Sequence, residues 1–206
     1  MTLLHPGDPF PDLEVDLIGV KSVHLHVALH GGFGIVLFHR GAWCPFCNGQ
    51  LRGFERVQEQ LTELGAKVVS LSVDDEETTA ALVEKRHLTF QMGHSADAHG
   101  LAEATGAFVN PEPVHLQATG FVLDPEGKVA LNAYSSGAIG RLTPEAPVGL
   151  IRYSRKGRAE PVASANTRTK GWVLQCRPSA AQPIELSTPP TGWRLCHRTR
   201  ALDGME

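Results

Sequence analysis

Two cysteines, Cys44 and Cys47, stand three positions apart in the stretch RGAWCPFCNGQ, residues 40–50. Thiols at this spacing can form a reversible disulfide, and a thiolate can attack either a disulfide or a peroxide. Two other roles are open: part of a zinc site, which needs about four ligands, or a pair of inert buried side chains. The remaining cysteines, Cys176 and Cys196, form no second C-x-x-C motif, which favours redox chemistry over zinc.

The local pattern places this pair at the start of a helix. Residues 34–40, GIVLFHR, are an apolar run typical of a buried central strand. From residue 45 to 64 apolar residues recur every three or four positions, as on one face of a helix. Cys44 then lies at the N-cap and Pro45 at the first helical position, where its missing N–H costs nothing. Because a helix N-terminus favours a thiolate, we expect Cys44, nearer the helix end and more exposed, to attack and Cys47 to resolve.

Neighbouring side chains are candidates for supporting this chemistry. Trp43 is expected to shield the surroundings of the thiolate, and Pro45 to fix the start of the helix. Arg40, four residues before Cys44, either stabilises a thiolate or a peroxide oxygen or is solvated at a strand end. Arg141, in the loop SSGAIGRLTPE, is interpreted as a solvated loop charge.

The elements that must position the dithiol alternate in type along the chain. Short strands are predicted at LEVDL and SVHLHV and buried strands at GIVLFHR and KVVSLSV, with a helix after each buried strand. A strand (LTFQM), a short helix closed by Gly106, the hairpin GFVLD-PEGK-VALNAY and the helix TPEAPVGLIRY follow. Strands separated by helices imply parallel crossovers, and the hairpin adds antiparallel strands. The prediction is an α/β fold with a mixed central sheet flanked by helices.

Length and composition limit the class of protein. A chain of 206 residues, 42% of them hydrophobic and with a net charge of −3, can bury a sizeable core and gives no reason to expect nucleic-acid binding. No apolar run approaches the roughly 18 residues of a membrane span, and MTLLHPGDPFPDLEV lacks the features of a signal peptide. We expect a cytoplasmic protein that does not associate with membranes. Four cysteines are too few for a disulfide framework in a chain of this length.

No metal or organic cofactor is expected. His24, His26, His30 and His39 are dispersed along the sequence, without the spacing of metal ligands. The GGFG stretch is interpreted as a turn, because neither a Lys-Ser/Thr pair nor a G-x-G-x-x-G pattern follows it.

The chain changes character near Tyr153. Residues 154–206 contain 9 lysines and arginines against 4 acidic residues, whereas the first 153 residues contain 10 against 18. The later segment is rich in proline and has no sustained helical or strand period. We therefore interpret residues 1–153 as one domain and residues 154–206 as an irregular or disordered basic C-terminal extension.

The segment VLFHRGAWCPFCNGQLRGF resembles the active-site segment of the AhpC/TSA (redoxin) group, the peroxiredoxin-like proteins of the thioredoxin-fold superfamily. GDPFPDLEV is similar to the entry segment of that group and GFVLDPEGKVAL to its late hairpin, so the resemblance covers about residues 6–153. It implies that residues 1–153 form a thioredoxin-like redoxin domain. It also implies thiol-dependent reduction of peroxides or disulfides.

The resemblance leaves the roles of the two cysteines open. Typical members of the group have a Thr or Ser three residues before the peroxidatic cysteine, whereas here Gly41 precedes Cys44 and Cys44 itself precedes Cys47 at that distance. Thioredoxin logic makes Cys44 the nucleophile, but the Thr-x-x-Cys pattern laid on this segment makes Cys47 peroxidatic. The arginine that the group carries just before the late strand is absent from QATGF. The cis-proline of thioredoxins is also absent from this stretch.

These observations predict a thiol-dependent oxidoreductase that reduces peroxides with the Cys44–Cys47 dithiol. Its partners would be a peroxide or disulfide substrate and a thiol reductant such as a thioredoxin-like protein, with a homodimer as a candidate assembly. Two alternatives are open. One is a thiol–disulfide oxidoreductase without peroxidase activity, and the other is a redox-sensing or binding module whose dithiol switches a partner surface.

Overall fold

The computed structural model describes residues 3–159 of the chain. Its strands are β1 (Glu14–Leu17), β2 (Val20–His24), β3 (Phe33–Phe38), β4 (Ala66–Leu71), β5 (Gln91–His94), β6 (Val109–Pro111), β7 (Val114–Leu116), β8 (Thr119–Leu123) and β9 (Val129–Tyr134). Its helices are α1 (Leu25–Ala28), α2 (Pro45–Arg56), α3 (Gln58–Glu63), α4 (Glu76–Arg86), α5 (Ala98–Thr105) and α6 (Glu145–Ala159).

The central part of the sheet is built on β3, whose sequence is apolar throughout. All of its residues are buried, as expected for a strand covered on both faces. It pairs in parallel with β4 and antiparallel with β8, and the order across the sheet is β2-β1-β5-β4-β3-β8-β9. The strands β3, β4 and β5 are parallel to one another, whereas β1, β2, β8 and β9 pair antiparallel. The predicted α/β fold with a mixed central sheet is confirmed.

Successive residues of β3 enter two separate parts of the core. Val36 and Phe38 pack on one face of the sheet, and Ile35 and Leu37 pack on the other with side chains of α2 and α6. This division follows from the alternation of side chains along a strand. It places α2, the helix that carries the dithiol, on the same face as α6. In the part of the chain that the structure describes, no helix is long and apolar enough to cross a membrane.

The helix after β3 begins at Pro45 as predicted, but the expected single helix over residues 45–64 is two helices. At Val57 the backbone leaves the helical region (φ −108°, ψ 8°), and the Val57 N–H donates to the Phe54 carbonyl three residues back at 3.1 Å. This tight turn separates α2 from α3. The predicted apolar stripe is nevertheless kept, because Phe54 and Leu61 are both fully buried.

The N-terminal segment SVHLHV is not one strand, contrary to the prediction. β2 ends at His24 and α1 follows directly. Leu25 and Leu29, four positions apart, are both buried, and a helical turn places residues at this spacing on the same side. Burial of this pair therefore overrides the alternating pattern. The strand predicted at LTFQM lies instead at Gln91–His94, and the short β6–β7 pair adds a hairpin that the sequence pattern does not indicate.

The C-terminal helix extends beyond the predicted boundary at Tyr153. α6 continues to Ala159, and its residues Val148 and Ile151 are buried in the core. Arg155, on the far side of the predicted boundary, donates from Nη2 to the Leu64 carbonyl at 2.9 Å. The first residues of the proposed extension are thus part of the folded domain. The remainder of that extension lies outside the described residues.

Candidate active site

The end of β3 and the start of α2 form the strand–turn–helix predicted for the dithiol. Cys44 is the N-cap of α2, with an extended backbone (φ −83°, ψ 114°), and Pro45 begins the helix. Asp74 holds the turn, because its carboxylate accepts the Ala42 N–H at 2.7 Å. Asn48, in the first turn of α2, donates from its side-chain amide to the Ala42 carbonyl at 2.9 Å. These contacts fix the main chain that carries both sulfur atoms.

Both cysteines are free thiols and both are buried. Each has 1% of its surface exposed, so the predicted difference is not seen in accessible surface, but Cys44 lies nearer the protein surface than Cys47. Nη1 of Arg40 lies 3.9 Å from the Cys44 sulfur. Arg141, from a distant loop, approaches the Cys47 sulfur. Arg141, a side chain from outside the motif, therefore helps to cover the helix end, and the local sequence does not show this.

Opposing effects act on the pKa of the Cys44 thiol. Burial raises the pKa, whereas the N–H groups of Cys47 and Phe46, the Cys47 side chain and the charge of Arg40 lower it, and the net result is below the ordinary value. The main-chain contribution comes from the helix N-terminus, as the sequence predicts. A thiol with a lowered pKa carries more thiolate at neutral pH and is the better candidate nucleophile.

The pKa of the Cys47 thiol moves in the opposite direction. Burial raises it, and the contacts with the Arg141 side chain and the Arg40 backbone only partly offset that effect. The Arg40 N–H donates to the Cys47 sulfur at 3.3 Å. The pair is therefore asymmetric, with the thiol pKa lowered at Cys44 and raised at Cys47.

Arg40 organises the side of the site next to Cys44. Its Nε donates to Nε2 of His115 at 3.4 Å, and its guanidinium carbon lies 4.9 Å from the centre of the Trp43 ring. Trp43 also packs edge-on against His115, with ring centres 5.3 Å apart. The structure thus favours the prediction of an arginine that stabilises the sulfur over a solvated strand-end charge. Trp43, expected to shield the thiolate, remains 57% exposed and packs on Arg40 and His115.

His115 comes from β7 and is not indicated by any sequence pattern. Its Nδ1 lies 2.8 Å from the Pro113 carbonyl, which assigns the proton to Nδ1 and leaves Nε2 to accept from Arg40. Burial lowers the pKa of His115, the Arg40 charge adds to this, and the Pro113 carbonyl opposes it. A neutral His115 therefore orients the Arg40 side chain by accepting its hydrogen bond. Because His115 carries no charge, of this pair only Arg40 adds positive charge on this side of the Cys44 sulfur.

Arg141 is not the solvated loop charge that the sequence suggests. Its Nη2 and Nε donate to the carbonyls of Ala138 and Ile139, and its Nη1 lies 3.5 Å from Oε1 of Gln50. These bonds hold the guanidinium beside Cys47. The late-strand arginine of the AhpC/TSA group is missing here, but a positive charge still reaches the dithiol from the loop after β9.

Gln50 is a second residue that the sequence analysis does not identify. It lies one turn after Cys47 in α2 and is buried, and its Nε2 donates to the Leu142 carbonyl at 2.8 Å. Through this bond and its contact with Arg141, Gln50 ties the loop to the helix. The sequence does contain one indication of this role. Gln50 lies beside the buried stripe of an amphipathic helix, and a buried amide requires hydrogen-bond partners.

A thioredoxin-like fold that carries a free dithiol at the N-terminus of a helix defines a thiol oxidoreductase. The model of the AhpC/TSA family matches residues 6–132, which is more than half of the chain, and the protein belongs to this family. The resemblance found in the sequence is thereby confirmed.

Curated relatives agree with this assignment, and solved structures agree with the fold. A peroxiredoxin of Methanothermobacter marburgensis is 27% identical, and the alignment covers 96% of this chain and 98% of the relative. The similarity therefore continues into residues 160–206. A peroxiredoxin of Methanothermobacter thermautotrophicus is 29% identical over 77% of each chain. The crystal structure of peroxidoxin BcpB from Mycobacterium tuberculosis matches with a TM-score of 0.64 at 21% identity, covering 73% of this chain and 97% of that one. Enterococcus faecalis AhpC matches with a TM-score of 0.64 at 22% identity, covering 78% and 99%.

Proposed function

We propose that the protein is a thiol peroxidase in which Cys44 is the attacking residue and Cys47 the resolving residue. The observation that carries this proposal is the asymmetry of the buried pair, in which the thiol pKa is lowered at Cys44 and raised at Cys47. The arginines Arg40 and Arg141 supply positive charge on two sides of the sulfurs. Family membership and the peroxiredoxin relatives support a thiol-dependent peroxidase.

The proposed reaction begins with the Cys44 thiolate and the terminal oxygen of a hydroperoxide. A sulfur–oxygen bond forms, the oxygen–oxygen bond breaks, and the leaving alkoxide or hydroxide takes up a proton and departs as alcohol or water. The guanidinium groups stabilise the negative charge on the leaving oxygen. The sulfur is oxidised by two electrons and the peroxide is reduced by two.

The second step uses the proton of the Cys47 thiol. The Cys47 sulfur attacks the Cys44 sulfenic acid, a disulfide forms, and the hydroxyl group departs with that proton as water. A reductant with two thiols then restores the dithiol by exchange and is itself oxidised to a disulfide. We propose a thioredoxin-like protein in this role. The exposed rings of Trp43 and Phe46, 57% and 48% accessible, supply apolar surface beside the dithiol for that partner.

Two further properties belong to the proposal. We propose a cytoplasmic location, because a dithiol that is recycled by thiol exchange works in a reducing compartment. A homodimer is supported by the groove along α5, where Leu3 and Phe108 expose 38% and 39% of their surface. Sedimentation of the full chain and of a Phe108→Ser variant would test this assembly.

The decisive experiment compares Cys44→Ser with Cys47→Ser in a background where Cys176 and Cys196 are serine. Each reduced protein receives one equivalent of hydrogen peroxide, and sulfenic acid is trapped with dimedone and located by peptide mass spectrometry. Cys47→Ser should accumulate sulfenic acid at Cys44, because the resolving thiol is absent. Cys44→Ser should react slowly.

Alkylation provides an independent measurement of the same asymmetry. At about pH 6.5, well below the unperturbed thiol pKa of about 8.5, iodoacetamide should modify Cys47→Ser quickly and Cys44→Ser slowly. The reverse pattern in both assays would make Cys47 the peroxidatic cysteine. The Arg40 N–H and the Arg141 guanidinium, which contact the Cys47 sulfur, would then stabilise its thiolate. Slow peroxide oxidation together with rapid reaction toward a disulfide would identify a thiol–disulfide exchanger. No reactivity in either assay would refute a redox function.

A further inference from the structure

Three side chains outside the active site converge on the surface near the N-terminus of the chain. Nδ1 of His24 lies 2.9 Å from one carboxylate oxygen of Asp12, and Nδ1 of His26 lies 2.6 Å from the other. The two imidazole ring centres are 5.6 Å apart. A donor atom from each of the three residues lies within 4.8 Å of the others. These histidines are dispersed in the sequence, and no local pattern places Asp12 beside them.

The main chain holds this cluster in place. Leu13 and Leu25 are both buried, and the Leu25 N–H donates to the Leu13 carbonyl at 2.9 Å. Asp12 directly precedes Leu13, whereas His24 and His26 flank Leu25. The bond between the two buried leucines therefore holds the main chain of the three residues together and brings their side chains to the same place on the surface. A site whose ligands are anchored in this way needs little reorganisation on binding.

We propose that Asp12, His24 and His26 bind one divalent transition-metal ion of the class of Zn²⁺, Cu²⁺ or Ni²⁺. Two imidazoles and one carboxylate form a donor set that such ions favour, whereas Mg²⁺ and Ca²⁺ favour oxygen donors. The ion would take the position between the ring nitrogens and the carboxylate. Each imidazole would bind the ion through the lone pair of Nδ1 and carry its proton on Nε2.

Binding requires the two Asp12 contacts to widen slightly and the two imidazole nitrogens, which lie within 4.8 Å of each other, to come together. Ligand atoms about 2.0–2.2 Å from a tetrahedral zinc ion lie roughly 3.3 Å from one another, so the contacts of 2.6 and 2.9 Å must widen by about half an ångström. His24, His26 and Asp12 have side chains that are 50%, 63% and 48% exposed, and they can move by that amount without disturbing the core. Three protein ligands leave the fourth position of a tetrahedral ion to water.

The test is a zinc titration of the full chain by calorimetry. Thiolates also bind zinc, so the parent protein carries serine in place of all four cysteines. The parent should bind one equivalent at the cluster. The double variant His24→Ala/His26→Ala should lose that equivalent, and Asp12→Asn should weaken the affinity by roughly tenfold or more. The matched control is His5→Ala/His99→Ala, which removes two exposed histidines elsewhere and should bind as the parent does.

A second comparison uses the wild-type chain, so that the result does not depend on replacement of the cysteines. The difference between wild type and His24→Ala/His26→Ala should again be one equivalent of zinc. Equal stoichiometry and affinity in parent and cluster variant would overturn the proposal. An equal loss in the His5→Ala/His99→Ala control would overturn it as well. In either case the three residues would form only a hydrogen-bonded His–Asp–His cluster.

Discussion

His39, between β3 and the turn that carries Cys44, should make the fold sensitive to acid. The residue is fully buried, its Nδ1 lies 2.9 Å from the Ser70 hydroxyl oxygen, and its Nε2 has no hydrogen-bond partner among the described residues. Burial lowers the pKa of His39 from 6.5 to about 4, with the Arg141 charge adding to the effect and the Asp74 charge opposing it. The folded protein therefore holds His39 neutral throughout the physiological range.

The sign and size of the effect follow from linkage. Between pH 6.5 and about 4 the unfolded chain binds a proton at this position that the folded chain does not, so stability falls as the pH decreases through that window. Each tenfold difference in proton affinity is worth about 1.4 kcal/mol. The full lowering of the pKa therefore contributes about 3 kcal/mol to the free energy of unfolding. About 2 kcal/mol of this contribution is lost when the pH falls to 5. Above pH 7 the contribution is complete and nearly constant.

The assay is urea denaturation of reduced wild type and His39→Gln at several pH values from about 5 to 8. Glutamine keeps a polar group near Ser70 but does not titrate. Wild type should lose about 2 kcal/mol more than His39→Gln between pH 7 and pH 5. An exposed-histidine control, His99→Gln, should follow wild type. Parallel pH profiles for wild type and His39→Gln would refute the conclusion that His39 is held neutral by burial.

Three further predictions concern features that were misassigned from the sequence. Arg141→Ala should raise the pKa of the Cys47 thiol further, because the contact with the Arg141 guanidinium lowers it. Ultraviolet titration of the thiolate measures this in a background where Cys44, Cys176 and Cys196 are serine, and no change beyond that of the exposed control Arg152→Ala would contradict the assigned contact. A chain ending at Ala159 should keep its cooperative unfolding transition, because it retains Val148 and Ile151, the residues of α6 that are buried in the core. Loss of that transition on truncation would show that residues 160–206 are required for folding. Ile151→Ala should lower the free energy of unfolding by about 3 kcal/mol, because it removes a buried side chain of α6.

The sequence by itself determined the elements whose causes are local. A strand–turn–helix around the dithiol was predictable from the apolar run of β3, the cysteine at the N-cap and Pro45. Capping and the preference of proline for the first helical position act within a few residues. The asymmetry between Cys44 and Cys47 was predictable from the helix N-terminus for the same reason. The mixed sheet followed from the alternation of strands and helices.

Only the tertiary structure decided the surroundings of the dithiol. Arg141 and His115 reach it from positions far along the chain, and both cysteines are buried by contacts that no local pattern encodes. Asp12 likewise meets His24 and His26 only because two leucines beside them share the core. Hydrophobic periodicity reports which face of an element is buried but not what packs against it. The chemistry of the site depends on such partners, since burial and neighbouring charges set the pKa of a thiol or an imidazole.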